Sequence, residues 1–271
     1  MLSVIVVAYN QEHAIARCLQ SVQWADEIIV VDSMSTDRTI EIAKKFTNHI
    51  VNCPDAGYTT KCREGFSAAN GDWLFNMDAN EEISDDLCNE VLAVIGSPVA
   101  KDGYHVPLKT IVLGKLMQPE DALSNSSLRL FRSGRYVVEQ TREGSVFKTT
   151  GDFGRLNGFI LCHPCDSIEQ YFLIMNDLTS LRVACEKRVN SKMQTGWLRL
   201  LFCAPVEFVR MFIGRKGYRN GFHGFLWAAL QSIDALAVNA KRWEHGWRQK
   251  KGRGSMPPMS LEDLQRVDRL A

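Results

Sequence analysis

Several common signatures are missing from this 271-residue chain, and each absence excludes a class of protein. No basic segment followed by an apolar core and a cleavage site opens it, so export is not expected. Charge of one sign is not in excess: 32 Lys and Arg against 31 Asp and Glu leave +1, so no whole-protein field draws nucleic acid. There is no internal repeat and no low-complexity tract. The eight cysteines (Cys18, Cys53, Cys62, Cys88, Cys162, Cys165, Cys185, Cys203) are scattered through a chain with core enough to need no staples, which fits reduced thiols in a cytoplasmic protein. Cys162-His163-Pro164-Cys165 has zinc-like spacing but no second pair, so a structural zinc site is not expected. Apolar runs clean enough to span a membrane are lacking too. Residues 197–213 carry Arg199, Glu207 and Arg210, and residues 222–240 are interrupted by Gln231 and Asp234.

What is present is an ordinary globular composition, 45% hydrophobic and 23% charged, sized for one α/β domain with an appended region. Its most informative feature is a pair of apolar runs that end in acid. Residues 28–31 lead into Asp32-Ser33-Met34-Ser35-Thr36-Asp37, and residues 73–77 into Asp78-Ala79-Asn80-Glu81-Glu82. A short apolar run without alternation reads as a strand covered on both faces, hence a parallel sheet. Such sheets bind ligands beyond the carboxyl ends of their strands, where carboxylates from neighbouring strands converge on a metal ion or sugar hydroxyls.

Four βα units fill the first 95 or so residues. Strands are expected at 2–8, 28–31, 49–52 and 73–77. Helices are expected at 12–22, from a Thr36 or Asp37 cap to Phe46, at 60–69, and from a Ser84 cap to Ile95. Between Gly103 and Ile160, alternating runs at 104–108, 127–131, 136–138 and 144–148 predict antiparallel strands, with Gly114, Gly134 and Gly151 at turns. From Ser167 the pattern is helical, and after Gly252 it is linker-like.

The runs 2–12, 24–39 and 71–81 resemble the GT-A domain of a family 2 glycosyltransferase. They are closest to the subgroup of lipopolysaccharide-core β-1,4-glucosyltransferases. Leu128-Arg129-Leu130-Phe131-Arg132, Thr141-Arg142-Glu143-Gly144, Leu161-Cys162-His163-Pro164 and 218–224 extend the resemblance to about residue 245. It implies a Rossmann-like GT-A domain at 1–165, a helical extension at 166–250 and a tail at 251–271. It also implies an inverting transfer of sugar from a nucleotide diphosphate donor, UDP-linked, to a saccharide or lipid-linked acceptor in envelope polysaccharide synthesis.

In that resemblance Tyr9 lies against the uracil ring and Asp32 accepts a hydrogen bond from the base. Asp78 is the metal-binding aspartate for Mg²⁺ or Mn²⁺. Asn80 replaces the usual second aspartate, which removes a charge that Glu81 or Glu82 would restore. Glu143 is the catalytic base; Arg142 stands where the subgroup has histidine, and Arg142 and His163 are acceptor-side candidates. Glu120-Asp121 form a rival acidic pair. Lys61 and Arg63 are candidate phosphate contacts. Read from the residues alone, Tyr9 is a half-buried strand end, Asp32 a turn former and Asp37 an N-cap. Lys61 and Arg63 are solvated surface, and His163 is a packed histidine. Asn80 and Arg142 keep open a degenerate, non-catalytic binding protein. A nucleotidyltransferase would also put carboxylates at such an edge, but Ala8-Tyr9-Asn10-Gln11 supplies no Gly-rich, Lys-bearing loop. Basic residues beside the tryptophan-bearing C-terminal helices suit a peripheral site on the anionic inner face of the cytoplasmic membrane; packing on the domain or in a homo-oligomer is the alternative.

Overall fold

The structure, a computed structural model, describes residues 1–54, 58–117, 126–141, 144–189 and 197–250. The chain divides into two compact units, Met1–Ile168 and a second that begins at Glu169.

In the first unit β1 (Leu2–Ala8), α1 (Ile15–Ser21), β2 (Glu27–Asp32), α2 (Thr39–Ala43), β3 (Ile50–Asn52), α3 (Tyr58–Ala68) and β4 (Trp73–Asp78) follow one another. The four strands lie parallel in the order β3-β2-β1-β4. β1 is buried along its whole length, and its side chains alternate between two cores. Leu2, Val4 and Val6 join Ile15, Leu19 and Leu87 on one face; Ile5 and Val7 join Ile29, Val31, Phe66 and Phe131 on the other. Helix α3 presses on that second face, where a Cβ at Gly65 would stand 2.7 Å from Val31 Cγ2. Only glycine admits so close an approach.

The expected helices at 12–22 and up to Phe46 are shorter than their apolar periodicity predicts. α2 stops at Ala43, and its N-cap is Arg38 rather than Thr36 or Asp37. Asp37 still serves the helix start, its Oδ1 accepting from Thr39 N at 3.0 Å, while its Oδ2 accepts from Glu12 N.

After β4 come β5 (Glu81–Ile83), α4 (Asp85–Ile95), β6 (Gly103–Val112), β7 (Lys115–Leu116), β8 (Ser126–Arg132), β9 (Tyr136–Thr141), β10 (Gly144–Thr149), β11 (Phe153–Arg155) and β12 (Ile160–Cys162). Ser84 caps α4 as expected, its Oγ accepting from Leu87 N. The sheet continues β4-β8-β6-β12-β5, while β9 and β10 form a separate hairpin. β8 is antiparallel to both β4 and β6, as the alternating runs predict. β11 and β12, by contrast, run parallel to β6. β5 is a strand only because β12 pairs with it antiparallel; as a local sequence, two glutamates and an isoleucine read as loop.

The second unit is helical, as expected: α5 (Ile168–Val189), α6 (Trp197–Val209), a π-helical turn at Arg210–Gly214, a 3₁₀ turn at Gly217–Asn220, and α7 (Gly221–Lys250). Tyr171 OH donates to Leu230 O at 3.0 Å, and Lys241 Nζ donates to Asn176 O and Thr179 Oγ1, both at 2.7 Å, tying α5 to α7. No residue of α6 is buried. Trp197, Leu198, Leu201, Phe202, Val206 and Val209 are each more than half exposed. Among the described residues no helix is long and apolar enough to cross a membrane.

Candidate active site

Two acidic strand ends flank β1. Ala8 is in register with Asp32 on β2, and Val7 with Asp78 on β4. The strands bearing the two carboxylates are therefore not neighbours, as a single convergent pair would require. They stand on either side of β1, about two strand spacings or ~10 Å apart in the sheet. Tyr9, 37% exposed, follows β1 at the same edge.

On the β2 side Asp32 is 3% exposed and organises a loop. Ser35 N donates to its Oδ2 at 3.0 Å and Ser35 Oγ to its Oδ1 at 2.6 Å. The loop after β1 is laced to it: Asn10 N donates to Ser35 Oγ, and Thr36 N donates to Asn10 Oδ1, both at 2.9 Å. Asn10 and Met34 hold positive φ angles of 48° and 64°. For a side chain such as Met34 that conformation costs roughly 1–2 kcal/mol, and backbone strain of this kind clusters at ligand-binding edges.

On the β4 side Asp78 sits over a buried polar network. Tyr58 OH donates to Asp78 Oδ1 at 2.7 Å, and Asn76 Nδ2 donates to Tyr58 OH at 3.2 Å. Asp78 N donates to Glu81 Oε2 at 2.9 Å. Arg129 closes the network, with Nη2 donating to Glu81 Oε1, Nη1 to Asn76 O and Nε to Ser127 Oγ. Burial and the Asp78 carboxylate raise the Tyr58 phenol well above its ordinary value, so it stays protonated. The same two causes push the Cys62 thiol up to about 12. Cys18, also fully buried, has its Sγ 3.6 Å from Asp78 O. Glu81 is thus committed to Arg129 and the Asp78 amide, and it does not restore the charge that Asn80 lacks.

Asn80 and His163 meet through the backbone, His163 N donating to Asn80 O at 2.9 Å. The His163 ring, 12% exposed, puts Nε2 3.4 Å from Glu82 Oε2. Burial first, and Arg17 next, lower its pKa. Arg17 stands 3.8 Å from both Glu82 and Asp166. Lys61 and Arg63 project from α3; Arg63 Nη2 donates to Val138 O at 3.0 Å, across to β9. Arg142, Glu143, Glu120 and Asp121 lie outside the described residues.

Tyr58, Asn76 and the Glu81–Arg129 pair are what sequence reasoning missed. One signal was available: Arg129 interrupts the apolar strand Leu128-Arg129-Leu130-Phe131, where a charge must find a buried partner. Among the described residues no three His, Cys, Asp or Glu side chains converge as a ready metal site. Asp78 Oδ2 and Asn80 Oδ1 accept no hydrogen bond among those residues. One carboxylate and one amide oxygen are the kind of donor set that a hard cation completes with phosphate and water.

The profile of Glycosyl transferase family 2 matches residues 3–136. An uncharacterized glycosyltransferase of Rickettsia bellii is 36% identical over 237 residues, covering 83% of this chain and 80% of the relative. The lipopolysaccharide core biosynthesis glycosyltransferase LpsC of Rhizobium meliloti is 26% identical over 254 residues, covering 90% and 92%. Among solved structures, S. aureus TarS in complex with UDP-GlcNAc is 15% identical, with a TM-score of 0.48 over 96% of this chain and 94% of that one.

Proposed function

The chain belongs to glycosyl transferase family 2, and from this we propose that it is an inverting GT-A enzyme moving sugar from a UDP-linked donor to a saccharide or lipid-linked acceptor in envelope polysaccharide synthesis. The observation that carries the reading is Asp78, with one carboxylate oxygen unengaged among the described residues at the carboxyl edge of β4. The similarity to a lipopolysaccharide core biosynthesis glycosyltransferase along 90% of the chain supports the acceptor class.

In this reading Tyr9 lies against the uracil ring, while Asp32 accepts from the base with the lone pairs that Ser35 leaves. Lys61 and Arg63 attend the phosphates. Asp78 and Asn80 fit Mg²⁺ or Mn²⁺, which when bound offsets the negative charge growing on the diphosphate leaving group. Glu143 takes the proton of the acceptor hydroxyl as the new glycosidic bond forms on the face opposite the departing nucleotide. Arg142 and the neutral His163 line the acceptor side. The exposed apolar side chains of α6, with Arg199, Arg210, Arg215, Lys216 and Arg219, dock on the anionic inner face of the cytoplasmic membrane, where a lipid-linked acceptor presents its sugar.

A panel of UDP- and GDP-sugars, assayed for hydrolysis and thermal stabilisation with and without Mn²⁺, tests the donor assignment. UDP-sugars should stabilise the protein and be consumed. Preference for GDP-sugars would overturn the UDP assignment, and binding without turnover would favour a non-catalytic binding domain.

A further inference from the structure

We propose that Tyr58 determines how Asp78 meets a cation, holding one carboxylate oxygen and leaving the other, so that the site selects small octahedral ions over calcium. This rests on reading Asp78 as a cation ligand. The Tyr58 hydroxyl lies 2.7 Å from Asp78 Oδ1, and Asn76 Nδ2 donates to the same hydroxyl oxygen at 3.2 Å. With a lone pair occupied by Asn76, the phenolic proton turns to the carboxylate, the strongest acceptor in reach. Asn76 is itself fully buried on β4, so the donor is not free to swing away. The backbone of Asp78 is pinned as well, its N–H bound to Glu81.

The chemical consequence follows from coordination preferences. Calcium takes six to eight oxygens and can accept a carboxylate through one or both of its own, whereas magnesium demands near-ideal octahedral geometry, which a two-oxygen chelate does not fit. A carboxylate whose Oδ1 is held by a phenol has one lone pair of that oxygen taken and its plane fixed, which favours ligation through Oδ2 alone over a chelate through both oxygens. Second-shell partners of this kind orient the ligand and typically change metal affinity by ~10–100-fold when removed.

The test is Tyr58→Phe, which keeps the ring and removes the proton, with UDP binding measured by calorimetry in Mn²⁺, Mg²⁺ and Ca²⁺ and the fold checked by thermal melting. The unmodified protein should bind UDP more tightly with Mn²⁺ or Mg²⁺ than with Ca²⁺. In the variant, affinity with Mn²⁺ should fall by ~10-fold or more, and the preference over Ca²⁺ should shrink. Asn76→Leu, which frees the hydroxyl to turn, should move the preference the same way by less. An unchanged Mn²⁺-to-Ca²⁺ ratio in Tyr58→Phe, with metal-dependent binding in the unmodified protein, overturns the role of Tyr58 alone. Binding indifferent to every cation in the unmodified protein overturns the metal reading of Asp78 and the proposal with it.

Discussion

Arg129 reaches from β8 to Glu81 on β5, placing Nη2 2.6 Å from Oε1 with both side chains buried. Burial, helped by Asp78, pushes the Glu81 carboxyl up to about 7 against the pull of the guanidinium. Replacing Arg129 by leucine would strand that carboxylate. The expected loss is ~3–5 kcal/mol in denaturant unfolding. The double change Arg129→Leu/Glu81→Gln, which keeps an acceptor for the Asp78 amide, should recover more than half of it. Equal destabilisation in single and double variants would mean that packing, not charge, is what Arg129 supplies.

At the opposite end of the sheet, Glu27 accepts from the Ser3 hydroxyl and from the backbone and side-chain amides of Asn70. Burial raises its pKa, but these hydrogen bonds and nearby His49 outweigh burial and leave it lowered. A depressed carboxylate contributes stability above its unfolded pKa of about 4.3 and loses it as pH falls through the folded value. The melting-temperature gap between the unmodified protein and Glu27→Gln should therefore be widest near neutral pH and close in acid. A gap constant from pH 3 to pH 7 would rule this out.

At the candidate metal site, Asp78→Ala should abolish Mn²⁺-dependent UDP binding, whereas Asn80→Asp should preserve or tighten it by restoring a negative charge. Calorimetry that finds Asn80→Asp weaker would argue that the amide is required for more than its oxygen.

Glu143→Gln retains shape and removes basicity. Turnover should drop by ~10²–10⁴-fold with UDP binding nearly intact. Near-normal turnover would shift the base to Glu120 or Asp121.

Membrane docking predicts that the unmodified protein sediments with anionic vesicles and is released by salt. Reversing Arg215, Lys216 and Arg219 to glutamate removes about 1 kcal/mol of attraction per residue and should leave the protein in the supernatant. Binding that survives the triple reversal, or is absent from the start, would favour helices packed in an oligomer.

The parallel core was legible in the sequence because β1 and β4 are runs without polar alternation, which read as strands covered on both faces whatever covers them. Ser84 was legible because a cap is a contact over three residues. Glu81 was not. Its burial depends on Arg129, 48 residues away, so the acid that looked like a spare metal ligand is part of the core. β5 escaped for the same reason, since its partner strand is β12. The hydrogen bond from Arg63 to Val138 was not legible either, because its backbone acceptor on β9 lies 75 residues on.

The pairing of β5 with β12 also bears on the order in which the protein assembles. Asn80 and His163 are joined through strands about 80 residues apart, and each such closure must be made before its contacts repay the chain entropy. On the ribosome the parallel core from β1 to β4 has all its strands early. The strand β5 that follows Asp78 gains its partner β12 only after Cys162 has emerged, so this pairing is among the late closures of the first unit.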